Sequence, residues 1–78
     1  MTIEGSRFTP ATLTVRVGDS IVWVNKDLFP HTATSSAARF DSQAIAPEQS
    51  WTYKVTAKGN FAYVCTFHPT MQGALRVQ

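Results

Sequence analysis

Cysteine occurs once in the 78 residues, at Cys65, so no disulfide can close within the chain and the usual staple of a small secreted domain is absent. Histidine is nearly as scarce, at His31 and His68, and Met71 is the only methionine after the start residue. Charge is sparse as well. A net +2 with no Lys/Arg cluster excludes a nucleic-acid-binding surface. No apolar run approaches the roughly 20 residues of a membrane span, and the chain shows no signal-peptide pattern, since Met1-Thr2-Ile3-Glu4 runs straight into patterned sequence. Helical periodicity and internal repeats are both missing. What remains is 44% hydrophobic, which excludes disorder. A chain of this length forms one domain, residues 1–78, near the lower size at which a core is stable unaided. A bound metal would add folding stability where the disulfide does not.

Alternation supplies the structure. Thr2-Ile3-Glu4 reads as a short edge strand and Arg7-Phe8-Thr9-Pro10 as an irregular crossing, because proline is excluded from central strands. From Thr12 to Val17, Leu13, Val15 and Val17 share one face, and Gly18-Asp19 is a turn. Ile21-Val22-Trp23-Val24 is apolar on both faces, as in a central strand covered on both sides, and Asn25-Lys26-Asp27 ends it. Thr32-Ala33-Thr34 reads as a brief strand. Ser35 to Glu48 reads as a long loop with one short strand near Ala44-Ile45. Trp51, Tyr53 and Val55 alternate with polar residues, Lys58-Gly59-Asn60 turns the chain, and Phe61, Tyr63 and Cys65 share a face. Ala74 to Val77 closes the sequence. Trp23, Trp51, Phe61 and Tyr63 are assigned to the core. Short strands divided by turns predict an all-β fold, a Greek-key sandwich of about seven to eight strands.

The scarce residues are not scattered. Cys65-Thr66-Phe67-His68-Pro69-Thr70-Met71 sets a thiol, an imidazole and a thioether at successive three-residue steps, and His31 follows Phe29-Pro30 upstream. Pro69 disfavours a helix there and pushes His68 toward an extended conformation. The expected shape is a loop from Cys65 to Met71, with Gln72-Gly73 turning the chain into its last strand. Singly, a cysteine is most often a buried small hydrophobe and a methionine a core filler. Jointly, two imidazoles, one thiolate and one thioether make the donor set that suits an electron-transfer copper ion, so His31, Cys65, His68 and Met71 are the candidate ligands.

Together with Val17-Gly18-Asp19, Val22-Trp23-Val24-Asn25 and Phe61-Ala62-Tyr63-Val64-Cys65, these motifs make the chain resemble the cupredoxins, the small blue copper proteins, and most closely their amicyanin-like branch alongside pseudoazurin and plastocyanin. The resemblance implies a Greek-key sandwich with one type 1 copper ion that cycles between Cu(II) and Cu(I) and ferries single electrons. It implies His31, Cys65 and His68 as equatorial ligands and Met71 as the axial one. A periplasmic or otherwise extracytoplasmic setting follows, with the leader replaced by a start methionine; the bare sequence admits a cytoplasmic chain equally. The expected partners are redox proteins, a cytochrome or a dehydrogenase, docking near His68 on a rim of Phe29, Pro30, Phe67 and Pro69, and the chain is expected to be a monomer. Three positions depart from the family. Thr32 stands where an asparagine usually fixes the ligand loop, which predicts an altered potential or loop rigidity. Phe67 and Thr70 stand where proline and phenylalanine are common. The chain is also short for the family in its N-terminal region.

Rival readings are weaker. Copper storage or delivery would use the same ligands and is the nearest alternative. Zinc prefers closed Cys/His sets in which methionine fits poorly. A Cys-His nucleophilic enzyme needs an orienting group and a substrate pocket, and nothing near Cys65 supplies an obvious Asn or Asp. Multicopper oxidation needs further histidines beside Cys65, where Val64 and Thr66 stand, and a binuclear centre needs a second cysteine. No enzyme activity is expected.

Overall fold

The structure is a computed structural model that describes residues 1–78. Its nine strands are β1 (Thr2–Glu4), β2 (Arg7–Thr9), β3 (Thr12–Val15), β4 (Ser20–Asn25), β5 (Thr34–Ser35), β6 (Phe40–Asp41), β7 (Ser50–Lys54), β8 (Gly59–Cys65) and β9 (His68–Val77), with no helix. One sheet runs β2-β1-β4-β7 and the other β3-β9-β8-β5-β6. The pairs β1–β4 and β3–β9 are parallel, and the rest are antiparallel. This is the expected all-β sandwich. Its inner faces meet around Trp23 and Tyr63, whose rings pack edge to face at 5.5 Å, with Phe8 against Tyr63 at 4.6 Å. Burial pushes the Tyr63 phenol up to about 12, against a smaller opposing effect of Trp23, so it stays neutral in the core.

Several local expectations are corrected. β1 is not an edge strand: β2 covers its open side, so Arg7–Thr9 forms the edge and is a strand rather than a crossing. The β1–β2 connection is Gly5-Ser6, with φ of 63° and 56°, the paired positive values of a two-residue type I′ hairpin turn. β4 is central in its sheet but covered on one face only. Ile21, Trp23 and Asn25 point inward, while Val22 is 41% exposed. Val17 lies beyond β3 and is exposed rather than inward. β5 begins two residues later than expected, and Asn60 joins β8 instead of a turn. Within the long loop, Ile45 pairs with His31 in an isolated bridge, and Phe40, which anchors β6, is core. Trp51 and Phe61 are only half-buried, packed against that core.

The largest correction concerns the segment after Cys65. Thr66-Phe67 alone turns the chain, and β9 already begins at His68, which pairs with Cys65. Val64 pairs with Gln72, so Pro69, Thr70 and Met71 bulge out of β9 with no partner on β8. A proline tolerates that position because no ladder donor is required of it. Gly73 makes no turn. It sits opposite Tyr63 in the ladder, and a Cβ there would overlap the Tyr63 ring, lying 2.8 Å from Cε1.

Candidate metal centre

Three segments meet at one end of the sandwich: the crossing from β4 to β5, the end of β8, and the β9 bulge. The crossing is held by Asn25, fully buried at the end of β4. Its amide donates to Phe29 O at 2.9 Å and Ile45 O at 2.8 Å, and its Oδ1 accepts from Asp27 N at 2.9 Å. Those bonds fix residues 26–30 as a rigid approach to His31. His31 itself exchanges backbone hydrogen bonds with Ile45 and has no exposed surface.

His31 and Cys65, 34 residues apart, place Nδ1 and Sγ 3.7 Å from each other. His68 Nδ1 lies 4.0 Å from the same sulfur, and one donor atom from each of the three residues lies within 4.8 Å of the others. Metal–sulfur and metal–nitrogen bonds of about 2.3 and 2.0–2.1 Å, spread at roughly 120°, would set S and N about 3.8 Å apart. The three side chains therefore fit a trigonal soft-metal site. Met71 lies in the bulge between the pairs Cys65–His68 and Val64–Gln72 and is buried, 4% exposed. Cys65 and His31 are fully buried, whereas His68 is exposed.

Thr32 N donates to Cys65 Sγ at 3.3 Å. The Thr32 hydroxyl accepts from Thr66 N at 2.9 Å and pairs with Thr66 Oγ1 at 3.1 Å, so Thr32 ties the crossing to the turn after Cys65. Sequence reasoning missed two participants. Asp27 Oδ2 lies 2.7 Å from His31 Nε2, so an orienting carboxylate does stand behind the histidine, contrary to expectation. Burial alone would raise the Asp27 carboxyl, but the amides of Ser6 and Gly5 and the His31 ring outweigh it and hold it below its ordinary value. Leu28, 87% exposed, adds a third large exposed apolar side chain to Phe29 and Phe67, 66% and 52% exposed, in the crossing before His31 and the turn after Cys65. Its signal was available: Leu28-Phe29-Pro30 is an apolar run in a segment that belongs to no strand.

The cupredoxin-like domain family matches residues 1–77. Chloroplastic plastocyanin of Tetradesmus obliquus is 35% identical over 78 residues, covering 86% of this chain and 52% of that protein. Amicyanin of Paracoccus denitrificans is 30% identical over 81 residues, covering 97% of this chain and 62% of that protein. The chain thus spans between half and two thirds of the length of these relatives. A solved Cu(I) form of an amicyanin variant superposes with a TM-score of 0.90 at 28% identity, over 99% of this chain and 78% of that one.

Proposed function

The chain belongs to the cupredoxin-like family, and from that premise we propose that it is a small blue copper protein carrying one electron at a time between redox proteins. The observation that carries this reading is the convergence of Cys65 Sγ, His31 Nδ1 and His68 Nδ1 at one buried point with a single exposed imidazole. His31, Cys65 and His68 are the close ligands in this reading, and Met71 the distant axial one. Copper, when bound, would supply a one-electron Cu(II)/Cu(I) couple.

The chain's own residues account for the rest. The buried bonds of Asn25, Asp27 and Thr32 hold His31 and Cys65 in place whether or not an electron has arrived, which keeps reorganisation small. His68 is the exposed ring and hence the electron port. Leu28, Phe29 and Phe67 give the end that carries it an apolar surface, as suits a contact face for brief encounters with a cytochrome or dehydrogenase. The reading includes a single domain over residues 1–78, a monomer, and an extracytoplasmic setting such as the periplasm. Storage or delivery of copper would use the same donors but gains nothing from a shielded sulfur with one exposed imidazole. A nucleophilic thiol would find its base and orienting acid in His31 and Asp27, yet Cys65 has no exposed surface to meet a substrate.

The test is the visible spectrum after Cu(II) addition, before and after ascorbate, with Cys65→Ser beside it. An intense blue band that bleaches, returns on reoxidation and is missing in the variant is expected. A colourless protein, or one that releases copper as Cys65 oxidises, overturns the carrier reading in favour of delivery.

A further inference from the structure

Three nitrogens from two distant parts of the chain converge on the Asp27 carboxylate. Oδ1 accepts from Gly5 N at 2.6 Å, Oδ2 accepts from Ser6 N at 2.9 Å, and Oδ2 lies 2.7 Å from His31 Nε2. The turn that supplies the two amides is a strained one for its sequence, because Ser6 adopts a left-handed φ of 56° that residues with a Cβ visit at a cost. The carboxylate side chain is only 13% exposed, and its own backbone N–H is fixed by Asn25. It is therefore held rigidly between the N-terminal hairpin and the buried histidine.

An ionised carboxylate can only accept, so the His31 proton must reside on Nε2, and Nδ1 is left with its lone pair toward Cys65. That is the tautomer a metal-binding imidazole needs, and a carboxylate behind the ring makes the ligand more basic. We propose that Asp27 is the positioning residue of the metal centre: it fixes the tautomer and orientation of His31, biases the site toward the more highly charged state of a bound metal, and ties the Gly5-Ser6 turn to the ligand. The bias toward Cu(II) over Cu(I) rests on the reading of the site as a copper centre. The tautomer and the link to the turn do not.

Asp27→Asn removes the charge at nearly constant shape, Asp27→Glu restores it, and Asp19→Asn removes an equal charge at the β3–β4 turn as a control. ¹⁵N NMR of the metal-free wild type should find the His31 proton on Nε2. In Asp27→Asn the Gly5 and Ser6 amides should shift and exchange faster, which the control should not reproduce. With copper, Asp27→Asn should lose about 10–100-fold in Cu(II) affinity. Cu(I) should lose less, so the reduction potential rises by about 59 mV for each tenfold difference between the two losses. Asp27→Glu should recover part of that change. A proton on Nδ1 in the wild type, or a potential that moves no more in Asp27→Asn than in Asp19→Asn, overturns the proposal. A wild type that gives no blue band defeats the copper reading alone, since the proton position still decides what Asp27 does. Should Asp27→Asn fail to fold, the wild-type tautomer and the Asp27→Glu potential decide it.

Discussion

Thr32 shows how much of a site one hydroxyl can hold together. The position holds the crossing against the turn after Cys65, and a threonine has one proton to give where asparagine has two. The hydroxyl oxygen nevertheless accepts the Thr66 N–H at 2.9 Å, and the Thr66 hydroxyl stands 3.1 Å away to complete the pair. The bond to the sulfur comes from the Thr32 backbone and survives any side chain other than proline. Thr32→Val should therefore leave Cys65 hydrogen-bonded but strand the Thr66 amide, costing about 1–3 kcal/mol of stability in denaturant unfolding. Thr32→Ser should restore most of it. Thr32→Asn, with a second donor at the same place, should change the reduction potential; an unchanged potential would show that the hydroxyl already does all the amide could do.

Among the elements, the β8–β9 hairpin carries three of the four candidate ligands, and its register rests on a glycine. Tyr63 is 1% exposed and its ring lies over Gly73, its partner across the ladder. Gly73→Ala must displace either a rigid aromatic ring in the middle of the core or the strand itself. Overpacking of this kind costs about 1–3 kcal/mol, and calorimetry should find a lowered Tm. An unchanged Tm would mean that Tyr63 has room to move. The sequence reading missed this role because a glycine beside Gln72 looks like a turn, and the need for it comes from a residue ten positions away. It also took the ligand segment for a loop, since proline signals a strand break; only the pairing of Val64 with Gln72 reveals that Pro69 lies in a bulge. The extended His68 that Pro69 implied is present, as the first residue of β9. Long alternating runs such as Trp51-Tyr53 and Phe61-Tyr63-Cys65 were legible because period two persists through them. Phe40-Asp41 was not, being two residues long, and Val22 read as covered because an apolar side chain looks the same in sequence on either face. The candidate donors stand out in the sequence by rarity. Asp27 does not, because a carboxylate in an irregular segment has no periodic signature.

For the molecule as a whole, the question is what replaces the missing disulfide. The sandwich has one free cysteine, and apart from the Asp27–His31 contact its one ion pair is Lys26–Glu48 at 4.0 Å, with both side chains at least half exposed, which contributes little. The candidate ligands come from the crossing that leaves the four-stranded sheet and from the hairpin at the heart of the five-stranded one, so an ion held there would join chain segments 34 residues apart. Binding to the folded state alone stabilises by RT ln(1 + [L]/Kd), about 4.1 kcal/mol at a thousandfold excess over Kd. For a domain of this size each kcal/mol is worth about 4–8 °C in Tm. Redox-silent Zn(II) separates this structural contribution from electron transfer. Thermal unfolding of the metal-free protein should rise by roughly 15–30 °C under saturating Zn(II) of that affinity, and the rise should vanish in Cys65→Ser and shrink in His68→Ala. Equal rises in wild type and Cys65→Ser would mean that the ion binds elsewhere, and that the two sheets are held by their aromatic core alone.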